Sequence, residues 1–229
     1  MKVDKINAYK EVFREHLEIT QSYNELYKYE CLQNFEANWD LSALDLKTNY
    51  DNAFQSKISA RLWGGSQNSA KEVMLLFLEM DKEFVRSMFR DLYNEDKDLG
   101  MRINRFVFHC DQMLEQLQAK QPKWTTHFHG ESEVALYLAF NNPQVYPLFS
   151  YSPFANMMQR LEVKSVPESY ELERYFKLCK GLYTLLKRDI QLVRLHKEVR
   201  EAAGYYGDDT AIMVHDYLVV CAGHKEPVV

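Results

Sequence analysis

Between Ser69 and Leu117, apolar residues return every third or fourth position in three successive runs, the period of a helix that buries one face. The first run is Val73, Leu76, Phe77 and Met80. It is opened by Ser69-Ala70-Lys71-Glu72, a capping box whose Ser and Glu side chains each take a free backbone N–H. The second run is Phe84, Val85, Met88, Phe89 and Leu92, with Asp81 placed to cap it. After the polar turn Asn94–Asp98, the third run carries Ile103, Phe106, Val107, Cys110, Met113, Leu114 and Leu117 on one stripe, with Arg102, Arg105, Asp111 and Glu115 off it. Three amphipathic helices joined this closely predict a helical bundle rather than a sheet.

The same period organises the rest of the chain. Ile6, Tyr9, Phe13 and Leu17 mark a first helix, and a second is expected from about Ser22 to Ala37. Asp40 is expected to cap a third running through Leu44 toward Phe54, and Gly64-Gly65-Ser66-Gln67-Asn68 is a loop. The polar stretch from Ala119 to Gly130 reads as a connector between an N-terminal bundle, residues 1–120, and a C-terminal lobe, residues 121–229. Beyond it lies a very apolar helix from Glu133 to Phe140, then a helix started by Ser152-Pro153. The longest expected helix spans about Glu168 to Ala202, burying Leu172, Phe176, Cys179, Leu182, Tyr183, Leu186, Ile190 and Val193. Gly204 and Gly207 end it, and a last helix follows from Asp209 to Cys221. The predicted class is all-α, a multi-helix bundle in one domain or two lobes, with little or no sheet.

Composition changes this picture little. Of 229 residues, 46% are hydrophobic and 27% charged, a globular balance that excludes wholesale disorder. The net charge of −5 excludes a chain coated in basic residues, which leaves only a local basic stripe for nucleic acid. The 14% aromatic content mostly supplies core. Four cysteines without C-x-x-C spacing read as reduced thiols. The start has no apolar signal region, and the longest apolar run, Val134 to Phe140, falls far short of the ~20 residues of a membrane span. A cytoplasmic protein with no membrane partner is expected.

Motifs for chemistry are sparse. There is no nucleophile elbow and no H-E-x-x-H, and Gly64-Gly65 lacks the second Gly and the Lys-Ser pair of a phosphate loop. No catalytic residue and no cofactor is expected. His127, His129 and Glu131 offer imidazole and carboxylate donors that suit zinc, yet without a second ligand pair they read as a solvated loop. Asp91, Glu95 and Asp96 read as a solvated helix end. The clearest candidate lies on the long helix, where Lys177, Lys180, Thr184, Lys187, Gln191 and Arg194 fall within about a 100° arc. Such a stripe suits a phosphate backbone. Arg86 and Arg90, with Arg102 and Arg105, offer a second basic patch. An aromatic cleft at the lobe boundary, using Trp124, Tyr146 and Phe149, is the alternative binding site, for a small ligand or a protein.

Several strings carry a family likeness. They are Asn38-Trp39-Asp40-Leu41-Ser42-Ala43-Leu44-Asp45, the run from Phe84 to Glu95, Leu136-Tyr137-Leu138-Ala139-Phe140 followed by Asn142-Pro143 and Tyr146, and the run from Pro147 to Phe154. Together they resemble the helical region ahead of the motor domain in AAA+ ATPases related to McrB, the NTP-driven subunit of modified-cytosine restriction systems. The resemblance covers roughly Val12 to Tyr217. It implies a recognition or regulatory module that binds DNA or a partner subunit, with the motor downstream. This chain departs from the family in having no Walker A or Walker B motif, so no nucleotide-binding residue is carried over.

Overall fold

A computed structural model of the chain describes residues 1–19, 25–56, 58–63 and 69–227. Among them are eleven α-helices, a short 3₁₀ turn at Ser59–Trp63 and no strand, so the all-α expectation holds. The helices form two compact units. One is continuous, Tyr27–Asn141; the other joins Met1–Leu26 to Asn142–Val229. The division expected at residues 120 and 121 is therefore not where the units part, and the connector 121–130 lies inside the first of them.

The continuous unit contains α2 (Tyr27–Asn38), α3 (Leu46–Ala53), α4 (Ala70–Met80), α5 (Lys82–Leu92), α6 (Leu99–Lys120) and α7 (Glu131–Asn141). The expected start of α2 at Ser22 and the Gly64–Asn68 loop lie outside the described residues. The capping box at Ser69 and Glu72 forms in full, and the Asp81 carboxylate accepts the Phe84 N–H at 2.9 Å. Asp40 does not cap α3. It accepts the Ser42 N–H and hydroxyl, while Asp45 caps the helix by accepting the Thr48 N–H at 3.1 Å. Helix α7 is buried on every side from Val134 to Phe140, which marks it as a central core helix. Around it, the Phe89 ring meets Trp39 at 5.5 Å, Phe106 at 5.3 Å and Tyr137 at 5.1 Å.

The second unit contains α1 (Val3–Ile19), α8 (Tyr151–Arg160), α9 (Leu172–Leu186), α10 (Ile190–Ala202) and α11 (Ile212–Gly223). Its centre is α11, apolar and buried almost throughout. Phe13 of α1 packs edge-on to Tyr217 at 5.8 Å, and the Tyr217 hydroxyl donates to the Ile6 carbonyl at 3.3 Å. Arg160 closes the end of α11 by donating to the Cys221 and His224 carbonyls. Helix α8 starts two residues earlier than the Ser152-Pro153 signal implies, with Ser150 at its N-cap.

The expected long helix is two helices. Asp189 accepts the Leu192 N–H at 3.0 Å and also pairs with Arg14 at 2.9 Å, so it caps a new helix at the point where one continuous helix was expected. The buried stripe is then rephased to Leu192, His196 and Arg200, Ile190 is 79% exposed and Val193 is only half-buried. At the far end of α10, Gly204 adopts φ 77°, and the N–H groups of Gly204 and Tyr205 return to the Glu201 and Arg200 carbonyls. That pair of bonds is the glycine-terminated helix end the sequence signalled.

Candidate functional site

The break at Asp189 divides the basic stripe. Lys177, Lys180 and Lys187 remain on α9 and its cap, all exposed, within about 80° of one another at 100° per residue. None of the three forms an ion pair among the described residues. Lys187 lies 5.3 Å from the Tyr183 ring, a cation–π contact at the end of the row. Arg194 sits on the separate helix α10 and pairs with Glu198 at 3.2 Å, so it leaves the stripe.

The second basic patch is not assembled at the surface. Arg86 is buried; its guanidinium donates to the Ala43 carbonyl at 2.8 Å, to the Leu41 carbonyl and to Glu83 at 3.0 Å. It holds the 41–43 loop against α5 and cannot face a phosphate. Arg102 is buried too, bonded to the Leu92 carbonyl and Glu95, while Arg105 pairs with Asp91. Lys97 joins Asp91, and these two cations hold the Asp91 carboxyl below its usual range. Of the pair on α5, only Arg90 is exposed.

The three aromatics proposed to line a cleft are packing groups. Trp124 is buried in the continuous unit. Tyr146 and Phe149 belong to the other, where Tyr146 meets Phe176 at 5.0 Å and Phe149 meets Tyr175 at 4.8 Å, both edge-on.

The connector differs most from its expectation. His127 and His129 are buried, not solvated. Phe128 between them takes φ 59°, the left-handed region that non-glycine residues seldom enter, and the two imidazole centroids lie 5.5 Å apart. The His129 backbone N–H donates to His127 Nδ1 at 2.9 Å, which puts the His127 ring proton on Nε2, 3.1 Å from Asp111 Oδ1. His129 Nε2 lies 3.0 Å from the Tyr137 hydroxyl, which in turn meets the Tyr50 hydroxyl at 2.8 Å. His129 Nδ1 is buried with no hydrogen-bond partner among the described residues. Burial, reinforced by His127, pushes the His129 pKa down to about 3, and burial raises the Cys110 thiol well above its usual range. The donor atoms of Cys110, His127 and His129 all lie within 4.8 Å of one another, and Glu131 is not among them. Cys110 escaped the sequence reading because it lies seventeen positions upstream and fitted an apolar stripe.

A second polar cluster went unseen in the sequence. Asp216 is fully buried in α11, His196 Nε2 lies 3.0 Å from its Oδ2, and the Ser150 Oγ lies 2.8 Å from His215 Nε2. The signal was His215-Asp216 interrupting an otherwise apolar run. Glu25, His215 and Asp216 also bring donor atoms together, each already engaged by a partner.

No protein-family model, curated protein or solved structure matches this chain. No described helix is long and apolar enough to cross a membrane.

Proposed function

We propose that this chain is a non-catalytic helical recognition module of the McrB-related kind, which engages the phosphate backbone of DNA through the exposed face of α9. The observation behind it is the row Lys177, Lys180 and Lys187, three exposed cations without an acidic partner among the described residues. Each phosphate they neutralise would release counterions, the main source of sequence-independent affinity.

Strings that carry the McrB likeness lie against one another. Arg86, in the run from Phe84 to Glu95, bonds to carbonyls of Leu41 and Ala43 in the string 38–45, and Phe89 packs on Trp39 and Tyr137. These strings are scaffold contacts with one another, the kind of residue a shared fold retains irrespective of chemistry. The alternative of an aromatic ligand cleft has no comparable support, because its rings are packed against their own neighbours.

The test is DNA binding by fluorescence anisotropy across a salt series. In Lys180→Glu, Lys187→Glu the affinity is expected to fall and the log–log salt slope to flatten by about 0.9 per lost phosphate contact. Arg90→Glu, on α5, serves as the comparison. Unchanged affinity and slope in the double variant would remove α9 as the site; loss in Arg90→Glu alone would move it.

A further inference from the structure

We propose that Cys110, His127 and His129 form a binding site for a zinc-class transition-metal ion. Three donors of the types zinc selects converge in one buried place, with no pair of donor atoms more than 4.8 Å apart. In a tetrahedral site such atoms stand about 3.5 Å apart, so closure takes movements of about 1 Å at the widest pair.

The second observation is the unpaired nitrogen. His129 Nδ1 is buried without a partner among the described residues, although unsatisfied buried nitrogens are rare. Its other nitrogen faces the Tyr137 hydroxyl, and the Nε2–H of His127 faces the Asp111 carboxylate. A metal-bound imidazole characteristically donates its remote N–H to such an oxygen, which fixes ring and tautomer. Both histidines therefore already have outer partners, and the left-handed turn at Phe128 brings their rings together. The donor set of one sulfur and two nitrogens disfavours Mg²⁺ and Ca²⁺, which demand oxygen.

The protons balance simply. Binding removes the Cys110 Sγ proton to solvent, leaving a thiolate on the metal. The His129 ring proton resides on Nε2, where it bonds to the Tyr137 oxygen. His127 contributes Nδ1, and the metal replaces the bond that this atom now accepts from the His129 main-chain N–H. A water completes the fourth position. This inference concerns the continuous unit alone and does not depend on α9 or DNA.

The experiment is Co²⁺ titration of the full chain after chelator treatment, followed by optical absorption. Expected are a thiolate-to-cobalt charge-transfer band in the near ultraviolet and tetrahedral d–d bands, saturating near one ion per chain and bleached by Zn²⁺. Cys110→Ala, a small change that circular dichroism can verify as folded, should lose the charge-transfer band, and His129→Gln should weaken binding at least tenfold. Cys179→Ala should leave the spectrum unchanged. No charge-transfer band in the parent chain, or the same band in Cys110→Ala, would overturn the proposal.

Discussion

The Arg86 guanidinium donates to the Ala43 carbonyl at 2.8 Å, a bond between residues forty-three positions apart that ties a loop to a helix. Together with its bond to Leu41 it satisfies carbonyls that no helix uses, which is why residues 41–43 can remain irregular. Arg86→Ala leaves those oxygens without their donor and should cost about 2–4 kcal/mol in urea denaturation. Arg86→Lys, which cannot fork to two carbonyls, should recover only part of that loss. DNA affinity should be unaffected in either variant, and a drop without loss of stability would reassign Arg86 to the surface.

Histidine burial sets an acid limit on the continuous unit. In metal-free protein His129, facing His127, Cys110 and Tyr137, has a pKa of about 3 against an ordinary 6.5. The folded value is the lower one, so stability is level above pH 6.5 and declines as protons are taken up by the unfolded chain. The loss from pH 6.5 to 5 should be roughly 2 kcal/mol, at about 1.4 kcal/mol per unit. His129→Gln should flatten that decline, as read from denaturation midpoints in chelator at each pH. An equally steep decline in the variant would place the acid sensitivity elsewhere.

The hydroxyl chain from Tyr50 through Tyr137 to His129 should behave as one unit. Tyr137→Phe strands both neighbours and should cost about 1–3 kcal/mol, whereas Tyr50→Phe leaves Tyr137 its histidine partner and should cost less. The double variant should be less destabilised than the sum of the singles. Strict additivity in this cycle would mean the three groups are independent.

Asp189 has two tasks that substitution can separate. Asp189→Ala removes the α10 cap and the Arg14 pair, and should cost about 1–2 kcal/mol. Asp189→Asn keeps a capping oxygen and should cost only a few tenths, since a part-exposed ion pair contributes little. Equal losses would show that the charge, not the cap, matters.

Asp189 also shows where sequence reading stops. Ser69 with Glu72, Asp81 and Gly204 were legible because their side chains or backbone freedom act within one turn. At Asp189 no Gly or Pro interrupts the chain, and Ile190 and Val193 continue the spacing of Leu186, so the apolar pattern runs straight through. The actual stripe of α10 includes His196 and Arg200, which hydrophobicity cannot flag. Arg86 and Arg102 were assigned to the surface by the same rule, that charge means solvent. Arg86 is buried because its guanidinium bonds two carbonyls and Glu83 at once, and Arg102 because its guanidinium bonds the Leu92 carbonyl and the Glu95 carboxylate. The metal-donor triad was half visible as His127 and His129; its third member depends on how α6 packs, which no local pattern encodes.

The assembly of one unit from both ends of the chain has a bearing on how the protein is made. Residues 27–141 are contiguous and can collapse on themselves as soon as they leave the ribosome. Helix α1 precedes that unit but packs on α10 and α11, some 180 residues later, so its apolar face through Ile6, Tyr9 and Phe13 must wait until those helices have been made. A nascent chain with residues up to 141 outside the ribosome and the rest still to emerge would carry a finished continuous unit and an unpartnered α1. That makes α1 a segment a chaperone would meet, and its contacts with α10 and α11 would form late, because they join residues far apart in the sequence.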